Sequence, residues 1–339
     1  MTDELKSSTS SLQWIDKTYF FTVSLGPIRL GRIRWRTRQL WTAFPTSLKH
    51  RQLPSVSRRD LDGVDAVYIP GFPVSKNFPA VQFPPGMIQF MSWSDTRFLI
   101  PIAGTFHNYL QSRSRRTREN LRRDVRRWRA LAGAEAVMKE FRGAIQMGEF
   151  YSIASPVSQK TWQGKLGAGL EEIDRSEEIL RMASADQARG YILYSGDRPA
   201  AFQLCYVQGT ALVASQTGYD PEYARYSPGA VLLCLLLEKL FAEGEMEFLD
   251  LMEGTAFPYK SSFDTLRVPS MRFLYFRRRP GILCFIIFVT LLKKLEKVAH
   301  GAKKAIRRSV ELAKKPFSRN SNSGQSGVVT DRNPRSEPE

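Results

Sequence analysis

Residues 211–263 read ALVASQTGYDPEYARYSPGAVLLCLLLEKLFAEGEMEFLDLMEGTAFPYKSSF. The order of residue types predicts a strand, a tight polar turn, an almost wholly apolar helix, a second strand and a Tyr-Lys loop. Ser227, Pro228 and Gly229 stand directly before the helix. The first N–H groups of a helix have no partner within it, so such a turn is a natural place for a phosphate. Proline is tolerated there because the N–H it lacks would be unpaired anyway, but it removes one donor. That leaves Gly229, Ala230 and Val231 to supply N–H groups, with the Ser227 hydroxyl and Arg225 beside them. Of the acidic residues of the second strand, Asp250 and Glu253, one is placed to face the same ligand.

Outward from this stretch, 188–219 holds three strand-like runs separated by Gly196-type and Gly209-type turns, which predicts an antiparallel meander feeding the helix. Before it, EEIDRSEEILRMASADQ reads as a helix, and the region 148–170 as helical but broken by Pro156. EAVMKEF reads as a strand. From Thr105, FHNYLQSRSRRTRENLRRDVRRWRALAG reads as one long helix. Its apolar stripe is Leu110, Leu121, Val125, Trp128 and Leu131, and eight arginines lie between Arg113 and Arg127. Either a solvated face or a polyanion clamp accounts for those arginines. In the N-terminal part, Asp62–Pro73 reads as a turn and a strand stopped by Pro70 and Gly71, TRFLIPI as another strand, and 14–44 as short strands.

After the strand RVPSMRFLYF, the chain continues PGILCFIIFVTLLKKLEKVAHGAKKAIRRSVELAKK. The apolar run, Ile282 to Leu292, is about half the roughly 20 residues a spanning helix needs. The apolar stripe continues through Val298, Ala302, Ile306 and Val310 with Lys and Arg between. This is the pattern of an amphipathic helix in the plane of an anionic membrane surface, over 281–315, or of a helix packed on the protein's own core. From Phe317 the tail has the composition of a disordered segment, and residues 1–12 are polar.

The net charge of +17 in 339 residues favours phosphate-rich partners: a coenzyme, an anionic lipid, a polyanionic sugar or nucleic acid. Cys205, Cys234 and Cys284 are far apart and sit in apolar runs, so neither a disulfide nor a zinc site is expected, and no metal is. Only His50, His107 and His300 are available for a histidine-based site. MTDELKSSTSS lacks the basic start and apolar core of a signal peptide, so the expected location is the cytoplasm, peripheral to the inner membrane face if the basic helix docks there.

Together the meander, GYDPEYARYSPGAVLLCLLLEKLFAEG, EFLDLMEG, YKSSF and the preceding TRENLRRDVRR resemble the GNAT acyltransferase superfamily, in its CelD-like branch related to the Fem-type peptidyl transferases. The resemblance covers roughly Leu99 to Phe276. It implies an α/β fold with a mixed, mostly antiparallel sheet and flanking helices over 105–279. Residues 13–104 form an N-terminal α/β region, with the degenerate GNAT-like half that related enzymes carry as the expected form. It implies acetyl-CoA or another acyl-CoA as donor and a small-molecule, glycan or lipid-linked acceptor, or, as in Fem-type enzymes, an aminoacyl group from charged tRNA. A binding protein built on an inactive scaffold is the remaining class. By resemblance Tyr259 matches the tyrosine that protonates the departing sulfur, and Lys260 adjusts the local potential or holds the substrate. Asp250 and Glu253, three apart in a strand, are expected to face apart, so at most one is the base; Glu253, before Gly254, is the choice. Relative to the family's turn pattern, Pro228 replaces the first glycine.

Overall fold

The computed structural model describes residues 13–25, 28–42, 44–48, 52–74, 78–133, 138–165, 169–170, 176–254, 259–263 and 266–313. The strands are β1 Trp14–Leu25, β2 Ile28–Leu40, β3 Ala66–Pro73, β4 Val81–Gln82, β5 Met87–Pro101, β6 Met138–Arg142, β7 Ala188–Ser195, β8 Arg198–Gln208, β9 Ala211–Tyr219, β10 Phe248–Glu253 and β11 Leu266–Arg277. The helices are α1 Phe44–Leu48, α2 Phe106–Gln111, α3 Arg115–Ala132, α4 Gly143–Lys160, α5 Trp162–Lys165, α6 Ser176–Ser184, α7 Pro228–Glu243, α8 Lys260–Phe263 and α9 Pro280–Ala313. Short 3-10 turns cover Arg58–Leu61 and Pro221–Tyr226.

The fold is mixed α/β around one large, mostly antiparallel sheet in the order β1-β2-β3-β11-β5-β10-β9-β8-β7-β6, with β4 added to β5. The meander β7-β8-β9 is present as expected. Strands alternate their side chains across the sheet, and two of the buried clusters among the described residues follow from that. Tyr191 and Leu193 join Leu212, Leu249, Trp128 and the α7 leucines 236, 237 and 240 on one face. Ile192 and Phe202 join Phe141 and Phe150 on the other, under α4 and α6. A side chain at Gly190 would put its Cβ 2.4 Å from the Phe150 ring, so the α4–β7 contact requires glycine there.

Chain order and sheet order diverge in the centre. β11 pairs antiparallel with β3 on one side and β5 on the other, and β5 pairs with β10 as well. The sheet therefore runs across the 104/105 boundary drawn from the sequence. Contacts divide the chain into two units: Met1–Phe21 with Arg32–Cys284, and Thr22–Gly31 with Phe285–Glu339.

Several local expectations are corrected. The long helix from Thr105 is two helices: Thr105 caps α2 by accepting from the Asn108 N–H, and Ser114 caps α3 by accepting from the Thr117 N–H. A serine that binds the backbone two or three residues on ends one helix and starts another. α4 runs through Pro156 to Lys160, with Ser155 Oγ donating to the Tyr151 carbonyl at 2.7 Å. β3 does not stop at Pro70 and Gly71; its pairing with β11 slips between Ile69 and Phe72, a bulge that accommodates the proline. Trp14–Leu25 and Ile28–Leu40 are two long strands rather than several short ones. The tail from Phe317 and residues 1–12 lie outside the described residues. Cys205 and Cys234 are buried, whereas Cys284 is exposed.

Candidate active site

Two features of β10 build the site. Its parallel pairing with β9 spans only Phe248–Asp250 against Ala211–Val213, and β9 then continues to Tyr219. The two strands thus part company in mid-sheet. At the same point β10 carries a bulge against β5: Asp250 lies opposite Leu99 and Glu253 opposite Arg97, one residue too many on the β10 side. Met252 takes φ 60° there, a left-handed conformation rare for a residue with a side chain.

The bulge shifts the alternation by one, so Asp250 and Glu253 share a face, contrary to the expectation from a regular strand. Both are buried, and both are held by Arg97. The Arg97 Nε donates to both Asp250 oxygens at 3.0 and 2.9 Å, its Nη2 lies 2.7 Å from Asp250 Oδ2, and its Nη1 donates to Glu253 Oε1 at 3.0 Å. Ser270 Oγ donates to Glu253 Oε1 at 2.9 Å and Arg272 Nη2 to Glu253 Oε2 at 3.0 Å. The Phe44 ring of α1 covers the Arg97 guanidinium at 4.6 Å. Burial raises the Glu253 carboxyl pKa, but Arg97 and Arg272 outweigh it and hold the group down at about 2. A carboxylate so placed is a weak proton acceptor, which weighs against the base role expected of Glu253. Arg97, Ser270 and Arg272 were not among the residues singled out by sequence. The readable signal was Arg97 at the edge of an apolar strand and acids within another, since a buried charge requires a partner.

Lys260 begins the short helix α8 rather than lying in a loop. Its Nζ is buried and donates to the carbonyls of Leu251 and Glu253, both at 2.7 Å, which fastens α8 to the bulge. Loss of solvent lowers its pKa to about 8. Tyr259, just before it, is 40% exposed, and desolvation raises its phenol pKa. Tyr109 Oη donates to the Phe263 carbonyl at 2.5 Å, so α2 anchors the far end of α8.

On the β9 side of the fork, Asp220 caps the 3-10 turn by accepting from the Glu222 N–H and pairs with Lys160 at 2.5 Å. Ser227 follows with φ 55° and ψ 46°, left-handed without being glycine, and α7 begins at Pro228. The Ala230 and Val231 N–H groups both donate to the Ser227 carbonyl at 3.0 Å, so the expectation that they serve a ligand is corrected. Among the described residues the Gly229 N–H has no such partner. The Tyr226 ring lies under two guanidiniums, Arg225 at 4.8 Å and Arg127 of α3 at 5.6 Å. Tyr223 is buried edge-on against Trp128, a packing role, whereas Tyr219 is exposed. The Arg-rich face of α3 is solvent-facing: Arg115 and Arg123 pair with Glu119 and Asp124, and Arg116, Arg122 and Arg126 are exposed beside them.

Residues 115–261 match the family model described as an acetyltransferase (GNAT) domain. Among solved structures, the chain is similar to that of L-PGS from Bacillus licheniformis, at 13% identity, covering 81% of this chain and 89% of that one with a TM-score of 0.47. It is similar to FemX at 9% identity, 80% and 90% coverage and a TM-score of 0.47. A GCN5-related N-acetyltransferase from Kribbella flavida follows at 8% identity, 55% and 59% coverage and a TM-score of 0.31. No curated protein matches the chain.

Proposed function

We propose that the chain, whose residues 115–261 match the GNAT domain model, transfers an acyl group from acyl-CoA to an amine or hydroxyl of a small-molecule, glycan or lipid-linked acceptor. The observation that carries this reading is the fork between β9 and β10, with the Ser227–Gly229 turn after one strand and Tyr259 after the other. The acceptor nitrogen or oxygen attacks the thioester carbonyl, the carbon–sulfur bond breaks, the thiolate takes a proton from the Tyr259 phenol, and the proton that the acceptor gives up passes to solvent, which returns one to the Tyr259 phenolate. A phenol normally ionises near pH 10 against about 8.5 for a thiol. Desolvation raises Tyr259 further, so the phenol is protonated when the sulfur leaves. The Gly229 N–H and the Arg225 and Arg127 guanidiniums provide cationic and hydrogen-bonding contacts for a diphosphate near the α7 N-terminus. Lys260 and the Arg97 cluster hold the bulge that sets where Tyr259 stands; they position rather than react.

A thermal-shift panel of CoA, acetyl-CoA and longer acyl-CoAs tests the donor: a rise in Tm at millimolar ligand is expected, and no shift with any of them removes the reading. Given a transfer assay, Tyr259→Phe is expected to lower kcat by roughly 10²-fold or more with little change in KM for the donor. Unchanged turnover would remove the proton-donor role.

The exposed arginines of α3 favour a second reading, transfer of an aminoacyl group from charged tRNA, because an exposed basic face suits a phosphate backbone. In the same panel, a shift with charged tRNA and none with CoA would select it.

A further inference from the structure

The second unit holds a surface that the transfer chemistry does not use. Within it, α9 buries Ile286 and Val289, at 1% and 3% exposure, yet leaves Ile287 50%, Phe288 51%, Leu291 53%, Leu295 60% and Val298 70% exposed. Positions 287, 291, 295 and 298 recur at spacings of four, four and three, so these side chains form one strip along the helix, with Phe288 at its border. Ile28 and Leu30, in the other segment of the same unit, are 60% and 50% exposed. Single exposed aliphatics are ordinary, but a strip of this length has a use.

Charge decides what covers it. From Lys293 to Arg308 the sequence carries seven Lys or Arg, at 293, 294, 297, 303, 304, 307 and 308, against Glu296 alone. A second copy of the chain laid on the strip would bring two such arrays together, like charge against like. An anionic lipid surface takes the aliphatic strip into its interface and the basic residues among its headgroups. No helix among the described residues is long and apolar enough to cross a membrane, so α9 would lie along the surface.

We infer that the strip Ile287–Val298 docks α9 on an anionic bilayer. Flotation of the full chain with phosphatidylcholine vesicles, and with vesicles containing about one third phosphatidylglycerol, tests this without donor or acceptor, so its outcome is independent of the proposed reaction. Binding about tenfold stronger to the anionic vesicles and weakened by salt is expected. The double variant Leu291→Asp, Leu295→Asp should lose that binding about tenfold or more, while its far-UV circular dichroism and Tm stay those of the parent, both sites being exposed. Val298→Asp serves as a milder second variant should the first be unstable. Absence of flotation with either vesicle, or flotation of the Asp variants undiminished, overturns the inference. So does sedimentation showing a dimer that those substitutions dissociate in the absence of vesicle binding, which would make a second copy the occupant.

Discussion

At the scale of single residues, the charged cluster under β3 leaves the least room for change. A Cβ on Gly71 would stand 2.9 Å from both Arg97 Nη1 and Glu253 Oε1 and 3.2 Å from Ser270 Oγ. Gly71→Ala is therefore expected to destabilise the protein by about 1–3 kcal/mol, read as a lower urea midpoint. Arg97→Met leaves Asp250 and Glu253 buried without their shared cation and should cost about 3–5 kcal/mol. The Glu253 carboxyl has a folded pKa of about 2 against an ordinary 4.5, so the stability it contributes is fully present above pH 4.5 and is lost as pH falls toward 2. The urea midpoint should decline across that window, and Glu253→Gln should flatten the decline. A variant with the same pH dependence as the parent would show that the carboxyl does not carry it. Tyr259 and Lys260 were singled out by family resemblance, and Asp250 and Glu253 by their place in a strand beside the apolar helix. That the last two share one arginine could not be read from the sequence, because it depends on a single extra residue in β10.

At the scale of elements, α7 was fully legible. Sixteen residues apolar nearly all round, bounded by Ser-Pro and by Gly244, can only be a helix buried between a sheet and other helices. Leu237 is wholly buried in that core, whereas Leu295 of α9 is 60% exposed. Leu237→Ala should cost about 2–5 kcal/mol and Leu295→Ala less than about 0.5, a contrast denaturation curves will measure. The break between α2 and α3 was less legible: Leu110 and Leu121 stand on one helical face on either side of it, and its signs were the polar run between them and Ser112–Ser114. The length of β1 and β2 escaped sequence reading because their alternation is blurred by arginines and exposed aliphatics such as Ile28 and Leu30. Proline and glycine in β3 misled in the opposite direction, since a bulge absorbs one and a close approach to Arg97 requires the other.

At the scale of the whole molecule, strands distant in sequence share one sheet, and no sequence pattern announces that β11 lies between β3 and β5. Periodicity reveals that a strand is half-buried, not which strand covers its edge. The interleaving predicts that the first unit unfolds as one body. Far-UV circular dichroism and the fluorescence of buried Trp35 and Trp128 should report coincident urea midpoints, and Gly71→Ala should move both equally. Separate midpoints would mean that the N-terminal strands melt apart from the rest. The same insertion has a consequence for how the chain is born. β5 is complete at Pro101, but its partner β11 begins only at Leu266. At ordinary rates of synthesis, β3 and β5 then wait on the order of 10–30 s with bare edges. The nascent chain must be shielded through that interval, and slowing translation between the two strands should raise the fraction that aggregates before release.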